Sequence, residues 1–191
     1  AFCCALLNSQ PMGFYSPSQL LQDVQRHGVT VLPVCANHSQ WQHTLVKIAD
    51  NRTAIRLGFR LVKGLNKQAL DKLISQRPAQ GYRHLEQIHQ LGIGRHELET
   101  LASADAFNQI AGNRHQVRWQ LSACQPSLPL FDEMLEDFAP QGTATKHTSG
   151  AAKLYQAAEV VLQSPSVAES MQADYSYTGV TLGQHPMSLL R

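Results

Sequence analysis

Two short repeats contain the residues of this sequence that are best suited to chemistry. Residues 64–73, GLNKQALDKL, align without gaps on residues 92–101, GIGRHELETL. In each copy a glycine is followed three residues later by a cation, Lys67 or Arg95, and six and nine residues later by leucines. Glycine permits the positive φ of a sharp turn, and the N–H groups of such a turn, together with the next helix N-terminus, attract anions. The pattern predicts two phosphate-binding turns.

Helices must position these turns. Leucines three residues apart share one face of a helix, where they would pack each copy on its neighbour. Apolar residues at helical spacing also precede each glycine, namely Leu61 and Val62 in the first copy and Leu85, Ile88 and Leu91 in the second. Each unit is predicted as helix, glycine turn and helix, the helix-hairpin-helix motif. Asn66 replaces the second glycine, Gly94, and we expect it to take the left-handed conformation that asparagine tolerates.

A further basic segment follows the second repeat. Arg114 and Arg118 lie four residues apart on one face of a helix predicted to begin near Asn113, and either extend a track of phosphate contacts or form a solvated face. Hairpins of this kind hold phosphates without reading bases, so we expect sequence-independent duplex binding; the alternative is a structural corner between helices. The predicted DNA-binding residues are Lys63, Gly64, Asn66, Lys67, Gly92, Gly94, Arg95, His96, Arg114 and Arg118.

Charge is distributed unevenly along the 191 residues, although the formal net charge is only +2. Residues 52–118 hold eleven Lys and Arg against five Asp and Glu, residues 1–51 hold two against two, and residues 119–191 hold three against seven. A basic middle favours an anionic partner. No apolar run approaches the ~18 to 20 residues of a membrane span, so no membrane partner is expected.

The predicted fold is α+β and mostly helical, with a small α/β portion before the tandem helix-hairpin-helix domain. Helices are predicted over 2–7 and 19–27, the second capped by Ser18 and stopped by Gly28. Strands are predicted over 29–34, 43–48 and 53–57. A small-residue linker is predicted over 141–150 and a helix over 151–163. The predicted domains are 1–51, 52–123, 124–165 (an acidic connector and linker) and 166–191.

The other reactive side chains favour structural roles. The cysteines, Cys3, Cys4, Cys35 and Cys124, lack CxxC spacing, which favours small buried thiols over a zinc site. No two of the nine histidines are three or four residues apart, so we expect surface or DNA-facing roles for them. The acidic stretch 132–137 is interleaved with apolar residues and favours a solvated helix face over a metal site.

Most of the chain resembles one family. The segments that carry the resemblance are 2–20, 26–29, 33–34, 37–39, 56–65, 102–107, 114–119, 173–175, 179–182 and 185–187, with Asp23. Together they are similar to the late fingers region and the tandem helix-hairpin-helix domain of the error-prone C-family bacterial DNA polymerases. These are the damage-inducible alternative alpha-type subunits of DNA polymerase III. The resemblance places residues 1–51 at the end of the fingers.

The resemblance implies a role in holding primer-template DNA during translesion synthesis, within replication and repair in the cytoplasm. In that family nucleotidyl transfer uses Mg²⁺ on palm carboxylates that lie earlier in the polypeptide. We therefore expect a fragment that is inactive alone and has no cofactor of its own. The start at Ala1 without Met also favours a piece of a larger protein. The alternatives are a helical protein-interaction scaffold with no DNA role and a free-standing enzyme.

A short apolar segment suggests another partner. Residues 127–131, SLPLF, resemble the linear motif through which bacterial polymerases dock on the sliding clamp, with Leu128, Leu130 and Phe131 as its apolar positions. The leading glutamine of that motif is missing, because Gln125 stands two residues too early. The alternative is an apolar loop that anchors the next helix. The clamp and other damage-tolerance proteins are thus expected partners on resemblance alone.

Overall fold

The computed structural model describes residues 1–48, 52–123, 161–184 and 186–189. These ranges form eight α-helices, a three-stranded sheet and two short 3-10 turns, which confirms the α+β, mostly helical class. The helices are α1 (Phe2–Asn8), α2 (Pro17–Arg26), α3 (Lys67–Ser75), α4 (Leu85–His89), α5 (Arg95–Ser103), α6 (Asn108–Ala111), α7 (Arg114–Ala123) and α8 (Val167–Tyr177). The strands are β1 (Val31–Leu32), β2 (Thr44–Lys47) and β3 (Thr53–Arg56). The 3-10 turns are Phe59–Leu61 and Pro186–Leu189. In these ranges, no helix has the length and apolar character to cross a membrane.

Helix α2 begins two residues before the predicted start. Ser16 and not Ser18 is the cap: its hydroxyl accepts the N–H of Gln19, and the Gln19 side chain accepts the N–H of Ser16. Pro17 explains the choice, because its fixed φ suits the first helical position, where no N–H donor is needed. The predicted stop at Gly28 is confirmed by its φ of +75°.

The sheet has the order β1-β3-β2, with β1 parallel and β2 antiparallel to the central strand. Ile55 pairs with Val31 on one side and Leu45 on the other, and with Ala54 it is fully buried. All three predicted strands are therefore present, in shortened form. The sheet joins strands on both sides of residue 51, where the sequence analysis places a domain boundary.

The repeat region folds into short helices around buried leucines. Leu70, Leu73, Leu98 and Leu101 are all at most 3% exposed, as their shared faces predicted. The α-helix expected before the first glycine is wrong, since the chain makes only the 3-10 turn Phe59–Leu61 there. The N–H groups of Phe59 and Arg60 donate instead to the carbonyls of Gln40 and Trp41, and those hydrogen bonds compete with a helix.

Helix α5 lies at the centre of the C-terminal half and packs on α7 and α8. Phe107 and Val117 are buried in one core, to which Val180 after α8 and Leu7 in α1 also belong. A single core thus includes parts of three of the four predicted domains.

Some expectations concern residues outside the described ranges. These are Cys124, the clamp-like residues Leu128, Leu130 and Phe131, the acidic stretch 132–137, the linker 141–150 and the first ten residues of the helix predicted over 151–163. The last three residues of that helix, 161–163, belong to no helix or strand.

Candidate nucleic-acid interface

The first hairpin turn joins the 3-10 turn Phe59–Leu61 to helix α3. Gly64 has a φ of +79°, the left-handed conformation that the repeat predicted. The expected left-handed conformation of Asn66 is wrong, since its φ is −88° and its backbone is extended. Asn66 is instead the N-cap of α3, and its side-chain oxygen accepts the N–H of Gln68 at 2.9 Å. Asparagine replaces glycine here because it is among the best N-caps.

The second hairpin turn joins α4 to α5. Gly92 has a φ of +65°, whereas Gly94 is an N-cap with a φ of −59° and no side chain to cap the helix. Arg95, the first residue of α5, donates from Nε to the Glu99 carboxylate at 2.7 Å. Both side chains of this pair are largely exposed, at 64% and 46%, so the ion pair is weak and the guanidinium can still meet a ligand.

Both turns contain backbone donors without an acceptor among the described residues. In the described part of the chain, the N–H groups of Gly64, Leu65, Ile93 and Gly94 donate to no acceptor. The first N–H groups of any α-helix also lack an intrahelical acceptor, and α3 and α5 begin directly after these turns. Such a set of N–H donors suits an anion with several oxygen acceptors.

The two turns lie side by side. A Cβ built on Gly64 would lie 3.8 Å from Nε2 of His96, the second residue of α5. His96 and Lys67 are both exposed. The second repeat therefore contributes a side chain to the first turn, and the predicted residues Gly64, Lys67 and His96 lie together on one surface.

Lys63 lies in a different environment from the one expected. Its ammonium group donates to the carbonyl of Tyr175 at 3.2 Å, and its backbone N–H donates to the carbonyl of Tyr177 at 2.8 Å. The last carbonyls of a helix attract cations, so Lys63 is held at the C-terminus of α8. Periodicity could not find this contact, because the partners are 112 residues apart.

Arg114 is not on the exposed face where the sequence analysis placed it. It is 8% exposed, and its guanidinium donates to the Asp174 carboxylate at 2.8 Å and to the Ser170 carbonyl at 3.3 Å. Arg114 therefore joins α7 to α8 and is not available for the phosphate contact expected from the sequence. Arg118, one turn later, is exposed. The predicted cap is confirmed, since the Asn113 side chain accepts the N–H groups of two residues of α7.

Asp105 belongs to the surroundings of Arg114. Burial raises the pKa of its carboxyl group, while Arg114 and a hydrogen bond from Asn108 act in the opposite direction. Arg114 thus faces two carboxyl groups, Asp105 and Asp174, which keep it on the interior side of α7.

The cysteines of the described ranges are free thiols. Cys4 and Cys35 are buried and Cys3 is half-buried, as small apolar residues would be. Burial raises the thiol pKa of both Cys3 and Cys4. Among the residues that the structure describes, no three His, Cys, Asp or Glu side chains are grouped to hold a metal ion.

Two adjacent glycine turns, each leading into a helix, define a tandem helix-hairpin-helix module. A family model described as "Helix-hairpin-helix motif" matches residues 28–117, which include the sheet as well as both hairpins.

Comparison with known proteins goes further. The chain is 46% identical over 189 residues to the error-prone DNA polymerase of Vibrio campbellii, a match that covers 99% of this chain and 16% of that protein. It is 43% identical to the enzyme of that name from Teredinibacter turnerae and 44% identical to that of Hahella chejuensis, in each case over 100% of this chain and 17% of the relative. The chain is therefore similar over its whole length to proteins named error-prone DNA polymerase, and it spans about a sixth of their length.

Proposed function

We propose that this chain is the duplex-DNA-holding portion of an error-prone DNA polymerase, and that it grips primer-template DNA through backbone phosphates. The observation that carries the proposal is the pair of adjacent glycine turns, with N–H groups that have no acceptor in the described part of the chain. Phosphate contacts position a duplex without reading its sequence. Such contacts tolerate mismatched or damaged pairs, which is why we assign the chain to translesion synthesis. The similarity to bacterial polymerases supports a place in the cytoplasm.

The charges around the turns support the same proposal. Lys67 and Arg95 occupy the first positions of α3 and α5, and His96 stands over the first turn. A cation at this position meets a phosphate bound by the turn, because the helix N-terminus and the side chain attract the same anion.

The test compares two charge-matched double variants of the chain. Lys67→Glu with Arg95→Glu changes the net charge by the same amount as Arg26→Glu with Lys47→Glu, which alters exposed residues of α2 and β2. Fluorescence anisotropy with a labelled duplex should show the first variant losing at least ~tenfold in affinity and the second losing far less. The wild-type affinity should fall with salt with a log–log slope of about −0.9 for each phosphate contact. Equal losses in both variants would contradict the hairpin assignment and favour a scaffold that binds proteins.

The proposal assigns nucleotidyl transfer and its Mg²⁺ to parts of the polymerase outside this chain. Its own residues would bind and orient the duplex. Incubation of the purified chain with primer-template, nucleotides and Mg²⁺ should therefore give no primer extension. Extension that survives repurification and is lost when one of the chain's own carboxylates is replaced would favour the free-standing enzyme.

A further inference from the structure

The two hairpin turns differ at one aligned position. We infer that the charge of the Glu97 carboxylate, which lies beside Gly94, repels a phosphate from the anion site of the second hairpin, so that the first hairpin makes the main phosphate contact; this inference rests on the proposed function. Glu97 is the third residue of α5, and Ala69 is its counterpart in α3. The first turn has no carboxylate at that place, and the second has one.

The position of the Glu97 carboxylate is set by Gly94. A Cβ built on Gly94 would overlap one carboxylate oxygen of Glu97 and would lie 3.3 Å from its carboxyl carbon. This is the space that the Asn66 side chain fills in the first hairpin, where it caps α3. Because Gly94 has no side chain, the chain supplies its own anion at the N-terminus of α5, where a negative charge is favourable.

The charged side chains of the two turns differ in the same way. Over the aligned residues 64–70 and 92–98, the first turn has Lys67 without an acid, whereas the second has Arg95 together with Glu97. Arg95 is further engaged by Glu99. A phosphate at the second turn must displace Glu97 or approach a like charge, whereas a phosphate at the first turn meets Lys67 and His96. The charges therefore favour phosphate binding at the first turn, although Asn66 replaces the second glycine there.

The experiment removes this carboxylate and compares a matched charge change. Glu97→Ala reproduces the first hairpin, Glu97→Gln removes the charge but keeps the size, and Glu86→Gln removes an exposed charge from α4 of the same hairpin. Duplex affinity is measured by fluorescence anisotropy as a function of salt, and helix content by circular dichroism. Glu97→Ala should bind about three- to tenfold more tightly, the range for one additional hydrogen bond of ordinary net strength. Its salt slope should steepen by about one phosphate contact.

Amide chemical shifts give a second measurement that does not depend on affinity. On addition of duplex to the wild-type chain, the amides of Gly64 and Leu65 should shift more than those of Ile93 and Gly94. In Glu97→Ala both pairs should shift. Equal shifts of both pairs in the wild type would overturn the inference even if the affinities agreed with it.

The outcomes separate this inference from the proposed function. A loss of affinity in Lys67→Glu, together with Glu97→Ala binding no better than Glu86→Gln, would overturn the role of Glu97 and leave the proposed function intact. Duplex binding that responds neither to Lys67→Glu nor to Glu97→Ala would overturn both.

Discussion

His43 provides a stability prediction with a defined pH window. It lies 4% exposed between α1 and the sheet, its ring Nδ1 accepts the N–H of Gly58 at 3.1 Å, and its backbone exchanges hydrogen bonds with the Asn8 side chain. Burial, and after it the charge of Arg60, lowers the His43 pKa from 6.5 to about 4. The folded protein therefore keeps a neutral imidazole and loses stability when that ring must be protonated.

The magnitude follows from the two pKa values. Between pH 6.5 and pH 4 the unfolded chain binds a proton at His43 that the folded chain does not, so the free energy of unfolding falls as the pH falls. The difference between these two pKa values, 6.5 and about 4, sets a limit of about 3.4 kcal/mol, and about 2 kcal/mol of it is lost between pH 7 and pH 5. The contribution is complete above pH 6.5 and is lost as the pH approaches 4.

Urea unfolding at pH 7 and pH 5, followed by tryptophan fluorescence, measures this loss. His43→Gln keeps an acceptor near Gly58 but cannot be protonated, so its stability should fall by about 2 kcal/mol less than that of the wild type over the same pH range. The control is His84→Gln, which changes an exposed histidine and should keep the wild-type pH dependence. The same fall in stability for wild type and His43→Gln would refute the assignment of acid sensitivity to this buried ring.

Two further changes test contacts that hold the helices. Arg114→Ala should lower the free energy of unfolding in urea by about 2 to 3 kcal/mol, because it leaves Asp174 partly buried without this ion-pair partner. Arg118→Ala, the control, should change that free energy by less than ~0.5 kcal/mol. Similar effects of the two substitutions would contradict the role of Arg114 in joining α7 to α8. Ser16→Ala should cost about 1 kcal/mol through loss of the α2 cap, and Ser18→Ala less, as judged by thermal unfolding. A larger loss of stability in Ser18→Ala than in Ser16→Ala would instead make Ser18 the cap of α2, as the sequence predicted.

Features within one element could be predicted from the sequence. The leucine spacing of α3 and α5, the strands around residue 51 and the positive φ of Gly64 and Gly92 all follow from periodicity and glycine chemistry, and the structure confirms them. The sequence predicts the correct turn for Asn66 but the wrong backbone conformation, left-handed instead of extended. The repeat alone does not distinguish a left-handed position from an N-cap, since glycine and asparagine suit both.

Contacts between distant residues could not be predicted in this way. Arg114 pairs with a residue 60 positions away, and Lys63 with one 112 positions away. In the sequence Lys63 and Arg114 are simply two cations of a basic stretch. Their partners become apparent only when α8 packs beside them. The charge count of residues 52–118 therefore overstates the number of cations available to a ligand.

The segment that precedes the first hairpin turn has a mechanical consequence. Arg60 donates to the carbonyls of Asn8, the last residue of α1, and Gln10, and three residues later Lys63 donates to the carbonyls of Tyr175 and Tyr177 at the end of α8. Residues 60–63 thus hold the end of α1 and the end of α8 next to Gly64. A shift of either helix end would therefore be transmitted through these hydrogen bonds to the turn that we propose holds the phosphate.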